Sequence, residues 1–248
     1  MDELTPVATP SLGNAALVAN TFTAPSRTFQ AIAGGCRSWW LPFLLIVAAG
    51  YLLFAAISIH VGWKQAADNV IQMNPKAQER LAQAPPEQRE KTLSITRIGM
   101  QVSMALAPVL VLAISTVAAA VLLGTINFLF GGKADFAAVF VVWIYAGLPG
   151  LIKSLLGFVV TLIVAPEQFN IVTLAPTNLG AFLNPADTNA ALYKLATALD
   201  CTTIWSLVLM SIGLAAVARV KRSSGYIAVF GWWGLLTAIG VGWAAIFG

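Results

Sequence analysis

The sequence predicts an all-α fold: a multi-span membrane helical bundle with five transmembrane helices, the third kinked, plus an N-terminal amphipathic helix. Three observations lead there. The 248-residue chain is 58% hydrophobic and only 10% charged, with a mean hydropathy of +0.81, whereas a soluble domain carries about 25% charge. Apolar stretches recur along the chain, each long enough for a bilayer core, which takes about twenty helical residues. The longest, Asp135–Pro166, is broken at its middle by Gly147-Leu148-Pro149-Gly150 and carries one cation, Lys153, just after the break.

Residues 1–13 are polar and contain proline, the composition of a disordered tail. No cleavable signal is expected, because Asp2 and Glu3 replace a basic start and the apolar run Ala15–Ala19 is short. Residues 14–248 read as a single membrane domain. Within Asn14–Gly35, Pro25 stands near a helix start and Gly34-Gly35 at its stop. Such a helix would lie in the interface with Phe22, Phe29 and Ile32 toward lipid and Arg27 and Gln30 toward water. A short helix packed on the end of the bundle fits the same pattern.

The first span covers 40–61, with Trp39 and Trp40 at one interface and Trp63 at the other. Pro42 falls in its first turn, where a missing N–H costs little. His60 lies at its far end, as a solvated or capping group. The hydrophilic region 62–97 mixes charges of both signs at helical spacing, the signature of a solvated face. Asn74-Pro75 and Pro85-Pro86-Glu87 start helices there. Nothing interrupts the chain from Glu87 to Ala107, so the last of these helices continues into the second span, 100–128, with Pro108 expected to bend it. Thr116, Ala120 and Gly124 recur every four residues and form a stripe on which a neighbouring helix can pack closely.

The third span, 136–165, raises the question of one crossing or two. Each half would be only about 20–22 Å long at 1.5 Å per residue, short of a ~30 Å core. One long helix, tilted and kinked at Gly147, Pro149 and Gly150, fits better. Lys153 either pairs with Asp200, reaches an interface, or bonds carbonyls freed at the break. The loop that follows is polar and largely uncharged, and Asn184-Pro185-Ala186-Asp187 reads as a helix start leading to the fourth span, 198–217. Asp200 opens that span and Arg219, Lys221 and Arg222 close it, which suits the helix dipole. Ser223-Ser224-Gly225 reads as a turn before the fifth span, 226–247, where Gly234, Ala238 and Gly242 form a second small-residue seam.

Five spans place the N-terminal region and the 129–135 and 219–225 turns on one side. Lys and Arg are nearly balanced between the sides, but the tight, basic 219–225 turn carries the stronger positive-inside signal. The expected topology is a multi-pass protein of the cell membrane, N-terminus cytoplasmic and C-terminus opposite. Cys36 and Cys201 then fall on different sides and cannot pair; both read as small buried hydrophobes.

The usual chemistry is missing. One histidine excludes a Ser-His-Asp triad and an HExxH site, and there is no phosphate-binding glycine loop. No catalytic residue, cofactor or metal site is expected, so the chain is read as no enzyme. No basic run with interleaved aromatics is present, so nucleic acid is not an expected partner. Lys153 and Asp200 are the candidate intramembrane polar site, since charge in the bilayer is costly and marks function.

Three short motifs occur in order. Phe22-Thr-Ala-Pro25-Ser-Arg27-Thr-Phe29 precedes Trp40-Leu-Pro42; Gly-Gly-Lys-Ala-Asp-Phe136 leads through Tyr145-Ala-Gly-Leu-Pro149; Leu199-Asp200-Cys-Thr-Thr-Ile-Trp205 opens the fourth span. In this order and spacing the chain resembles the Yip-type domain (Ypt/Rab-GTPase-interacting membrane proteins) as seen in bacterial members, over approximately Asn14–Phe247. The resemblance implies a five-span bundle with a cytoplasmic N-terminus, in agreement with the charge argument. It also implies partnership with small GTPases and with other family members, as in eukaryotic relatives. This chain lacks their long cytoplasmic tail and Asp-Leu-Tyr-Gly-Pro type motif, which leaves a small-GTPase partner doubtful. The expected function is non-enzymatic: organising the bilayer or membrane partners, itself or other membrane proteins, by helix–helix contact. The alternative is a transporter or channel component with a site near the kinked third span.

Overall fold

The computed structural model describes residues 13–185 and 187–247; the tail expected over 1–13 lies outside them except for Gly13. The described residues form helices without a strand, and five stretches are long and apolar enough to cross a membrane: Trp40–Val61, Val109–Phe130, Phe136–Ile163, Cys201–Ala218 and Arg222–Ile246.

Two short helices, α1 (Asn14–Thr23) and α2 (Pro25–Ala33), precede the first crossing helix, α3 (Trp40–Ala56), which ends in a π-helical turn, Ile57–Val61. Gly62, at φ 78°, turns the chain into α4 (Trp63–Gln72). Asn74 caps α5 (Pro75–Gln83) by accepting from the Ala77 N–H. Then α6 (Pro86–Phe130) runs unbroken for 45 residues, about 67 Å and more than twice a bilayer core. Its C-terminus closes on left-handed Gly131. The third crossing divides into α7 (Phe136–Ala146) and α8 (Pro149–Ile163). After a long irregular loop come α9 (Ala190–Ala198), α10 (Cys201–Ala218) and α11 (Arg222–Phe247).

The helix α10 is the hub. Half of its apolar window (50%) is buried, against 11% for α11. Its neighbours include α2, α7, α8 and α11. Close approach is possible because two glycines present no side chain there. A Cβ at Gly213 would lie 2.5 Å from Val142 Cγ1 and 2.8 Å from Phe29 Cδ1. One at Gly225 would collide with the Ser211 carbonyl.

Of the two placements expected for the N-terminal helix, that packing decides for the one against the bundle. Phe29 and Ile32 do not face lipid; both are fully buried in the main core with Leu17, Val142 and Leu214. Phe22 packs edge-on against Trp205. The amphipathic face of α2 found protein rather than bilayer, because Gly213 leaves a slot for the Phe29 ring.

Two further boundaries differ from expectation. Ser223-Ser224-Gly225 is not a turn: Arg219, in the left-handed region at φ 56°, reverses the chain and α11 already begins at Arg222. The helix expected from Asn184 begins only at Ala190, because Asn189 supplies the cap, accepting from the Ala191 and Leu192 N–H groups.

The two ends of the bundle are tied by different means. At the N-terminal end, Asp135 caps α7 through the Ala138 N–H and pairs with Arg37 at 2.8 Å, while Arg37 also donates to the Ile32 carbonyl. At the other end, buried Asn69 of α4 donates to the carbonyls of Pro166 and Phe169. It fastens the loop after α8 to a small apolar cluster of Leu53, Ile57, Trp63 and Phe169.

Candidate functional site

Two helices are interrupted, and a polar cluster ties them together. Pro149 has no N–H to give the Tyr145 carbonyl, so the chain tightens there into shorter turns. Leu148 N–H reaches the Tyr145 carbonyl at 3.1 Å, and Gly150 N–H reaches Gly147 at 2.9 Å. Pro149 then begins α8, and Lys153 lies one turn further on.

The second interruption, Leu199-Asp200, separates α9 from α10. Here the loop from residue 166 folds back against the helices. Cys201 N–H donates to the Thr177 carbonyl at 2.9 Å and Leu179 N–H to the Leu199 carbonyl at 3.3 Å, forming an antiparallel bridge between Asn178 and Asp200. Irregular backbone beside membrane helices is tolerated where protein covers and pairs it. Asn178 and Asp200 are both buried accordingly. Gly180 lets the loop approach Thr197, whose atoms would collide with any added Cβ.

Asp200 gathers the cluster. Its Oδ2 accepts from Lys153 Nζ at 2.9 Å and from Thr177 Oγ1 at 2.7 Å. Its Oδ1 accepts from the N–H groups of Thr202 at 2.9 Å and Thr203 at 3.0 Å, and from Thr202 Oγ1. Five donors meet a group with about four lone-pair positions. Only 2% of the Asp200 side chain is exposed, against 36% for Lys153. The carboxylate is therefore saturated, neutralised and fixed. It joins α8, the returning loop and α10 on one side chain.

The sequence-derived stripes behave differently. Thr116, Ala120 and Gly124 of α6 are exposed, as are Ala238 and Gly242 of α11. A Cβ added at Gly124, Gly234 or Gly242 would meet nothing within 4 Å. Among the described residues nothing packs closely on those glycines, and the glycines Gly213 and Gly225, which do seat a neighbour, lie outside both stripes. Thr177, Asn178 and Thr202 were also missed. Thr202 had a local signal, since a helix-capping Asp followed two positions on by Thr favours a side-chain turn. Thr177 and Asn178 had none, because only the returning loop brings them near.

Between α6 and α11, with α7 and α10 as its floor, lies a cleft of about 680 Å³ lined by Ile114, Val117, Trp143, Trp232, Trp233 and Leu236 among others. Neither Lys153 nor Asp200 lines it. Trp232 Nε1 donates to Thr125 Oγ1 at 2.9 Å and so ties α11 to α6 beside the cleft.

A family model, the Yip1 domain, matches residues 19–246. The chain belongs to the Yip1 domain family. No curated protein and no solved structure matches it. The Yip1 domain here takes in all five apolar stretches, both interruptions and the Lys153–Asp200 pair. It is a multi-pass membrane protein in contact with the bilayer.

Proposed function

We propose that this Yip1 domain protein is a non-enzymatic organiser of the membrane, acting by helix–helix contact with a second membrane protein or a second copy of itself. The observation that carries the reading is the unoccupied face of α6. At 100° per residue, Ile95, Val102, Val109, Thr116, Ala120 and Gly124 share one side of the helix, and all six are exposed. Small residues in the apolar half allow a close partner, and larger ones continue the same face beyond it. The Gly234, Ala238 and Gly242 seam of α11 offers a second face of the same kind.

A solute pathway is less supported. Discontinuous helices favour it, but here the break at Asp200 is filled by protein donors, and the cleft between α6 and α11 is apolar and lined by neither Lys153 nor Asp200.

The test is self-association and partner capture in liposomes, read by energy transfer between labelled copies and by co-purification. Gly124→Ile, Gly234→Ile and Gly242→Ile should keep the wild-type unfolding temperature. They should weaken association about tenfold, on the order of 1–2 kcal/mol. Association unchanged in all three sinks the proposal. The orientation that goes with it has the N-terminus in the cytoplasm of a cell-membrane protein. In a Cys36→Ser/Cys201→Ser background, an impermeant maleimide added to intact cells should label Glu79→Cys and not Lys221→Cys; the reverse pattern inverts the topology.

A further inference from the structure

A second, polar groove lies between α4 and the outer part of α6, with a volume of about 550 Å³. Ala67 and Leu93 belong to its lining, together with five charged side chains: Lys64, Asp68, Arg89, Glu90 and Arg97. Among the described residues the ion pairs are Arg37–Asp135 and Lys153–Asp200, so none of these five is paired with another. Arg89 is otherwise engaged, donating to the carbonyls of Ala82 and Ala84. Among the described residues the side chains of the other four have no hydrogen-bond or ion-pair partner, although they share one groove.

The four are ordered by depth. Lys64 follows directly on Trp63 and the first apolar stretch, which ends at Val61. Arg97 stands one turn outside Met100, which packs against the cluster containing Trp63. Lys64 therefore sits at the membrane boundary, the level of lipid phosphates, and Arg97 shares the groove with it. Asp68 lies one turn along α4 from Lys64, and Glu90 lies two turns from Arg97 along α6 in the direction away from the apolar stretch. At 1.5 Å per residue the latter separation is about 10 Å along the axis. Along α6 the cation Arg97 thus lies nearer the apolar stretch and the carboxylate Glu90 beyond it, while Arg89 beside Glu90 is held on carbonyls.

We infer that this groove binds the headgroup of a zwitterionic phospholipid bearing a primary amine. Its phosphate is held by Lys64 and Arg97, and its ammonium by Asp68 and Glu90. In such a headgroup the phosphate is attached on the glycerol side and the amine projects into water, the same order as the groove's charges. An anionic headgroup would satisfy the cations but leave two carboxylates facing negative charge. A trimethylated amine would keep the charge and lose the N–H donors that a carboxylate accepts. The bilayer is the source of the ligand, because Lys64 stands at its boundary.

The experiment uses the full chain, purified with an equimolar mixture of phosphatidylethanolamine, phosphatidylcholine and phosphatidylglycerol of identical acyl chains, with retained lipid read by native mass spectrometry. Wild type should retain phosphatidylethanolamine over each of the others by about tenfold. Asp68→Asn/Glu90→Gln should lower it to the level of phosphatidylcholine and raise phosphatidylglycerol. Lys64→Gln/Arg97→Gln should lose the preferred lipid altogether. Glu90→Gln alone, at an exposed position, gives a variant that keeps the fold and should still reduce the preference. Inorganic phosphate added at millimolar concentration should not displace the lipid. Equal retention of the three lipids by wild type overturns the inference. So does undiminished preference in Asp68→Asn/Glu90→Gln, and so does displacement by inorganic phosphate alone.

Discussion

Lys153 Nζ lies 2.9 Å from Asp200 Oδ2, and through that contact the early part of α8 is bound to the break between α9 and α10. The two residues are far apart in sequence and belong to different crossings. Their pairing joins the kinked third crossing to the start of the fourth. The Asp200 break is covered by a returning loop, which takes up the Leu199 carbonyl and the Cys201 N–H and donates Thr177 Oγ1 to the carboxylate, as backbone beside a bilayer requires.

The two partners contribute unequally, which gives the first prediction. Asp200→Ala removes the cap of α10, the acceptor for Thr177 and the counter-charge of Lys153 together. It should lower stability by about 3 kcal/mol, seen as a lower unfolding temperature in detergent. Lys153→Leu leaves Asp200 with its donors from Thr177, Thr202 and Thr203, and Lys153 is the more exposed partner, so its cost should be clearly smaller. Equal losses would mean that the ion pair, not the capped carboxylate, dominates.

Glycines on the interior and on the outer stripes should respond in opposite ways. Gly213→Ala forces Val142 and Phe29 to move and should cost about 1–3 kcal/mol by overpacking. Gly124→Ala meets open space and should be neutral or slightly stabilising, since alanine is the better helix former. Thermal unfolding of the two variants side by side decides it. A neutral Gly213→Ala would show that α2 is not seated on α10 as described.

Asp135 gives a pH dependence of defined sign. Its partial burial pushes the carboxyl upward, but the Ala138 N–H and the Arg37 guanidinium outweigh this and hold it below the ordinary carboxylate value. A lowered folded value means that the ionised carboxylate adds stability above the unfolded value, about 3.9, and loses it as pH falls through the folded one. Asp135→Asn preserves a capping side chain without charge. Its unfolding temperature should sit slightly below wild type at pH 7, and the gap should close in acid below about pH 4. A gap that widens in acid contradicts the assigned sign. High salt should shrink it at pH 7, because the pair is exposed.

The sequence by itself determined the class of the protein and the course of its crossings. Lipid imposes a length of about twenty apolar residues per helix and forbids unpaired backbone, so the five long apolar stretches, the continuous α6 and the break at Gly147–Gly150 could be read from composition and local chemistry. Tertiary structure decided what each face meets. Phe29 and Ile32 carry the same apolar pattern whether they lie on lipid or in a core, because both surroundings are apolar; only the slot at Gly213 selects the core. For the same reason a small-residue stripe cannot say whether its neighbour is its own chain or another, and Gly213 and Gly225 were chosen over Gly124, Gly234 and Gly242 by the path of the chain. The cluster at Asp200 was half legible. A charge beside a span called for a counter-charge, and Lys153 was the available one, but Thr177 and Asn178 joined it only because a loop of no regular pattern turned back between the helices.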